Sequence, residues 1–335
     1  MTTHIGIDVA AKTLAVAALR DSKVLWEGEF ANDPKGHKAL LKRLRKLPKG
    51  DVRVVVEATS IYSLDLSLAL HNGPDRIKCM VANPRQVSHF AKATAQRGKT
   101  DPMDAVMLAR FAMAMPFVAW QPPEAAMLEC RQFVRRIEQL VRAQAKEKTR
   151  LKGLLATCTT EKHILEDVEA HITFLAKRIQ TLEKAAVELA LRDDTLARRF
   201  KLLCSIPGVA KRSALRILAE LAVLPGDMDA KQVVAHAGLD PRPWTSGDMK
   251  RPARISKQGN AYLRKALFLP AMTAVTHSPH VKPFFDKLVG RGKTKKQAIV
   301  AVMRKMIHAI WGMFKHESMW DGEKFSYDQK VRRAA

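Results

Sequence analysis

Two short apolar runs near the amino end each close on an acid: His4-Ile5-Gly6-Ile7-Asp8 and Val52-Arg53-Val54-Val55-Val56-Glu57. Runs of this length, rich in β-branched residues, form buried strands. A carboxylate at the strand's exit then stands at the rim of the sheet. Residues 14–19 and 24–30 are further β-prone runs parted by turn-like polar residues, which predicts an antiparallel meander. A helix is predicted from about 34 to 47, a second over 61–70, a strand at 77–81, and a helix opened by Asn83-Pro84 with proline at its first position. Three strands, a helix and then strand–helix alternation specify a mixed sheet with helices on its faces.

That order resembles the RNase H-like fold, including its RuvC-like junction-resolvase branch. Gln121-Pro122-Pro123 marks a boundary, and two long helical stretches follow it. In the second, Val168, Ile172, Leu175, Ile179, Leu182, Ala186 and Leu189 alternate by four and three residues and keep one apolar seam toward a partner. In the first, Gln144 and Lys148 fall on the seam and weaken it. A helical hairpin or an intermolecular coiled coil is predicted, serving as spacer or oligomerisation element. The remainder reads as helical and dense in Lys and Arg. The expected division is therefore an RNase H/RuvC-like α/β domain over 1–120, a coiled-coil helical hairpin over 121–194, a mostly α domain over 195–318, and a loosely held tail over 319–335.

Charge narrows the function. Over 335 residues, 58 Lys and Arg oppose 33 Asp and Glu, a net +25 spread along the whole chain. A phosphate-rich partner is expected, because neutralising backbone phosphates releases condensed counterions. A purely cationic RNA-binding or nucleoid protein would show the same excess. No run resembles a signal peptide or reaches the length of a membrane span, so a cytoplasmic protein is expected. Cys79, Cys130, Cys158 and Cys204 form no C-x-x-C pair and read as buried thiols in a reducing compartment.

In so basic a chain, a cluster of acids is informative. Asp101 and Asp104 lie three apart at the start of an apolar-periodic helix, hence on one face. With Asp8 and Glu57 they supply the carboxylates that two-metal phosphoryl chemistry needs, binding hard cations such as Mg2+ or Mn2+. Taken singly, Asp8 also fits a turn and Asp101 a helix cap.

Two later segments add candidates. The run from Cys204 to Ala214, with Ile206-Pro207-Gly208, resembles the turn of a helix-hairpin-helix module. Lys211 and Arg212 would add charge for a nucleic-acid backbone, although an ordinary interhelical turn reads equally well. The Gly238–Gly247 stretch is Pro/Gly-rich and contains Ser246; Arg251, Arg254, Ser256, Lys257 and Arg264 follow. A hydroxyl flanked by cations can attack phosphorus, with Arg254, Lys257 or Arg264 stabilising the developing charge. The residues alone do not choose between Ser246 and Ser256. His236, His277 and His280 are candidate bases without a recognisable spacing.

Together these motifs resemble the DEDD-type insertion-sequence transposases guided by a bridge or seeker RNA, and the related Piv-type DNA invertases. The resemblance rests on Ile5-Gly6-Ile7-Asp8, Glu57-Ala58-Thr59, Thr100-Asp101-Pro102-Met103-Asp104-Ala105, Ile206-Pro207-Gly208, Ala237-Gly238-Leu239 with Pro241, Ser246-Gly247, and Ile255-Ser256-Lys257-Gln258-Gly259 with Leu263-Arg264. It runs from about residue 4 to 315. It implies that Asp8, Glu57, Asp101 and Asp104 form a metal-binding tetrad and that Ser246 is the nucleophile of a covalent phosphoserine intermediate. It also implies donor and target DNA, a structured noncoding guide RNA, and a homo-oligomer, a dimer or tetramer, as partners. The function implied is RNA-guided cutting and rejoining of DNA by an insertion-sequence transposase. A RuvC-like junction-resolving nuclease, or a Piv-like invertase acting without guide RNA, stands as the alternative.

Overall fold

The computed structural model describes residues 1–58, 61–94, 100–246 and 249–326, with the backbone alone for 243–246, 249–253 and 326. The chain divides into two compact units, Met1–Pro122 and Pro123–Ala335.

The first unit is built on β1 (Thr3–Val9), β2 (Thr13–Arg20), β3 (Lys23–Ala31), β4 (Val52–Glu57) and β5 (Ile77–Ala82). Its sheet order is β3-β2-β1-β4-β5; β1, β2 and β3 pair antiparallel, whereas β4 runs parallel to both β1 and β5. Asp21 and Ser22 both take positive φ, 50° and 65°, as the tightest right-twisting hairpin turn requires. Helix α1 (Pro34–Arg45) starts where the Asp33 carboxylate accepts the Gly36 N–H at 2.7 Å, with proline in the first turn. A single 3-10 turn over Ile61–Ser63 leads into α2 (Leu64–His71), and α3 (Pro84–Ala93) opens on the Asn83 side chain. Helix α4 (Asp101–Ala114) is capped by Thr100, whose hydroxyl accepts from the Met103 N–H.

Strand alternation divides the core. Ile5, Ile7, Val54 and Val56 pack with Leu40, Leu44, Leu66 and Leu70 on one face. On the other, Val55 meets Leu108 and Phe111, while Ala15, Ala17 and Leu19 meet Ala105 and Ala109. Gly6, Asp8 and Glu57 therefore share the α4 face, by the two-residue period of a strand.

The second unit holds α5 (Ala125–Leu155), α6 (Lys162–Arg192), α7 (Asp194–Cys204), α8 (Lys211–Leu221), α9 (Ala230–His236), the hairpin β6 (Pro241–Ser246) and β7 (Met249–Ile255), then α10 (Ala261–His277), α11 (Lys282–Gly290), α12 (Lys295–His316) and α13 (Gly322–Ser326). Helices α5 and α6 pack on each other within the chain, so the apolar seam closes as a hairpin. They do not stand apart as a spacer: Met127, Cys130 and Val134 share one core with Leu203, Leu218 and Ile307. Burial along α5 stops at Leu140, and beyond it the Gln144 amide donates to the Ile172 carbonyl at 3.3 Å. The polar seam residue thus marks where the helix leaves the core.

Three expectations need correction. The segment around Ser246, expected as a loop, is a two-stranded hairpin within a mostly α unit. Its prolines are tolerated because both strands are edges, and Pro243 falls at the register shift between Arg242 and Trp244. The tail is packed as far as it is described, since Phe325 is buried and meets Phe284 edge-on and Trp320 at a tilt; residues 327–335 lie outside the described residues. Among the cysteines only Cys79 and Cys130 are buried, their thiols pushed up to about 12 and about 11 by desolvation. Cys158, between α5 and α6, and Cys204, at the end of α7, are exposed.

Candidate active site

Parallel pairing of β1 with β4 aligns Ile7 with Val56, so the next residues, Asp8 within β1 and Glu57 at the end of β4, stand side by side. Asp101 and Asp104 occupy the first turn of α4, where the helix dipole favours acids. What brings that turn to the strand is Gly6. A Cβ there would collide with the Ala105 carbonyl and the Ala109 amide, so only glycine lets α4 lie against β1. Gly6 belongs to the site's construction, and its spacing two before Asp8 was the signal for it in the sequence.

The electrostatics show that the acids are neighbours. Half-buried Asp8 has its carboxyl pushed above the ordinary range, first by desolvation and then by Asp101, Asp104 and Glu57. The Val9 amide opposes this by donating a hydrogen bond. Among the described residues, no three His, Cys, Asp or Glu side chains are arranged as a group that could hold a metal ion. The acids are charge-coupled and are not drawn into a ligand shell. As a donor set, four carboxylates with no nitrogen or sulfur suit a hard divalent cation.

The serine segment lies in the second unit. Ser246 ends β6 opposite Met249, next to the hairpin's turn; its partner in sequence, Gly247, and likewise Thr59 lie outside the described residues. Ser256 sits at the hairpin's foot with its hydroxyl occupied. It donates to Asp240 Oδ1 at 2.5 Å and accepts from the Gln258 N–H at 3.2 Å. Burial, then Arg131, pushes the His236 imidazole below its ordinary pKa, and its ring lies 3.4 Å from the Asn260 amide. His277 is exposed at the end of α10. His280 lies so close to Gly322 that a Cβ there would strike its ring.

The candidate cations divide by placement. Lys211 is exposed at the start of α8. Arg212 beside it pairs with Glu183, Nη2 to Oε2, at 2.7 Å. Arg254 and Lys257 are exposed at the hairpin's foot, whereas Arg264 turns inward and donates to the Ala237 carbonyl at 2.8 Å. Of Arg251 the backbone alone is described, paired with Trp244.

Comparison with known families decides the kinship. The model of the DEDD transposases of IS110 elements, described as "Transposase", matches residues 5–159, and the model described as "Transposase IS116/IS110/IS902 family" matches 200–286. Together the two matches cover well over half of the chain. The chain belongs to the IS110 family of transposases. All four acids of this transposase fall inside the first match, and Ser246 falls inside the second. It is 27% identical over 327 residues to the pilin gene-inverting protein of Moraxella bovis, covering 95% of this chain and 98% of that relative. The Moraxella lacunata pilin gene-inverting protein is similar to the same extent. The transposase for insertion sequence element IS1111A of Coxiella burnetii is 29% identical over 119 residues, 35% of this chain and 33% of the relative. An IS110-family transposase acts on DNA, and among the described residues no helix is long and apolar enough to cross a membrane.

Proposed function

We propose that this transposase cuts and rejoins DNA through a covalent link to Ser246, at a site completed by Asp8, Glu57, Asp101 and Asp104. The charge coupling of Asp8 to the other three acids carries the reading. A basic chain that sets Asp8 among three other acids supports a role for cations beside a phosphodiester. The sheet order, three antiparallel strands followed by two parallel ones, supports an RNase H-like, RuvC-like reading of the first unit. The subdivision of the second unit into a helical hairpin and a serine-bearing domain belongs to the same proposal.

The four carboxylates would hold one or two Mg2+ or Mn2+ ions, which when bound polarise the scissile phosphate and offset its developing charge. Ser246 Oγ forms the new bond to phosphorus as the bond to the 3′ oxygen breaks, releasing a 3′-hydroxyl. Attack by another strand's 3′-hydroxyl then expels the serine, so the phosphodiester energy is conserved. Engagement of the Ser256 hydroxyl at the hairpin's foot favours Ser246 for this role. Arg254, Lys257 and Lys211, exposed on this unit, suit the DNA backbone. A structured noncoding RNA would pair with donor and target DNA, and a homo-oligomer would bring acids and serine together.

In the test, Ser246→Ala forms no protein–DNA adduct on a nicked trapping substrate yet binds that DNA with wild-type affinity; Asp104→Asn fails in the same way. An adduct at wild-type level in Ser246→Ala rejects the nucleophile, and free ends without any adduct point to a hydrolytic junction nuclease. Near full-length similarity to the pilin gene-inverting proteins favours a second reading, an invertase acting without guide RNA. A discrete structured transcript copurifying with the chain separates the two.

A further inference from the structure

A network of charges is buried near the feet of the hairpin whose first strand ends in Ser246. Glu220 of α8 is 1% exposed and Glu138 of α5 is 4% exposed. Arg135 reaches Glu220 as a fork, with Nε 2.8 Å from Oε1 and Nη2 2.8 Å from Oε2, and lies over the Tyr262 ring at 3.4 Å. Glu138 takes Arg216 and Lys265, each at 2.7 Å. Burying charges costs more than burying apolar groups of equal volume, so such networks do little for stability and much for orientation.

What this network orients can be traced. The Asn260 amide donates to Glu220 Oε2 at 2.6 Å, while its carbonyl oxygen caps α10 by accepting the N–H groups of Tyr262 and Leu263. Its own N–H donates to the His236 carbonyl at 2.6 Å. His236 precedes β6 and Asn260 follows β7, so this one residue ties the hairpin's two feet together and to α8. The feet meet as closely as backbone allows: a Cβ on Gly259 would strike the His236 carbonyl, and Gly238 and Gly259 both take positive φ.

We propose that Glu220 and Asn260 are positioning residues for strand transfer, fixing the hairpin's exit angle and with it the backbone position of Ser246. The inference rests on the serine reading above. Each acts through the feet of the hairpin, and Glu220 is buried away from solvent.

Single-turnover adduct formation on the trapping substrate, measured beside DNA affinity, tests the idea on the full chain. Asn260→Asp keeps the α10 cap but sets two carboxylates against each other, and the adduct rate is expected to fall about tenfold or more with affinity unchanged. The swapped pair, Glu220→Gln with Asn260→Asp, restores one donor and one acceptor and is expected to recover to within about threefold of wild type. Asn260→Ser keeps a capping oxygen and, with its shorter side chain, removes the amide that reaches Glu220, giving the same loss should the aspartate variant fail to fold. Wild-type rates in Asn260→Ser, or a swapped pair no faster than Asn260→Asp alone, overturn the proposal. A wild-type chain that forms no adduct on Ser246 removes the serine reading and this inference with it, whereas a wild-type adduct with unaffected variants removes this inference alone.

Discussion

Asp8 is held where burial and three neighbouring acids all disfavour its charge, and this has a thermodynamic signature. Its folded pKa lies above the unfolded value, so between the two the folded chain binds more protons. Stability therefore falls as pH rises through the raised pKa and stays lowered above it. Asp8→Asn removes that penalty. Without divalent cations, the variant's acid-bearing unit is expected to melt above wild type at pH 8, with the gap closing toward the ordinary carboxylate range near pH ~4. Mn2+ should reverse the order: at about one hundred times its dissociation constant a ligand contributes about 2.7 kcal/mol, and Asp8→Asn forgoes it. Melting curves across pH with chelator and with Mn2+ check both signs. A chelated variant that melts below wild type at pH 8 contradicts the acid-cluster reading.

Between elements, the contact that matters most is α4 against β1, made possible by Gly6. Gly6→Ala would force α4 outward, at about 1–3 kcal/mol for an overpacked contact, and would carry Asp101 and Asp104 away from Asp8. The expected result is a chain that still folds, with its Mn2+-induced stabilisation reduced, read from the same melting curves. Undiminished stabilisation would show that the helix turn is not part of the cation site. The strands carrying Asp8 and Glu57 were legible in the sequence because β-branched runs and polar turns define them locally. The hairpin at 241–255 was not: with Pro241, Pro243 and Pro252 it lacks a strand-like period, and its feet are fixed by distant Glu220 and Asn260. Helix α13 was hidden for a related reason, since Phe325 finds its partners only once Phe284 and Trp320 are in place. Within the candidate site, the acids could be read from strand ends and helix spacing. The engagement of Arg264 with the Ala237 carbonyl could not, because nothing local distinguishes it from an exposed arginine.

At the scale of the molecule, two compact units carry the candidate residues separately: the four acids in Met1–Pro122 and the serine hairpin in Pro123–Ala335. The excess of 58 basic over 33 acidic residues suits nucleic acid without choosing a bond, so under the proposed function bond choice falls to the acids and the serine. The most direct measurement is the structure of the assembled transposase trapped in its covalent DNA complex with Mn2+. The expected result is Ser246 Oγ bonded to a 5′ phosphate, with Asp8, Glu57, Asp101 and Asp104 around a cation that ligates that same phosphate at about 2.1 Å, as a hard octahedral ion does. A link through another residue, or acids remote from the break with no cation between, would contradict it.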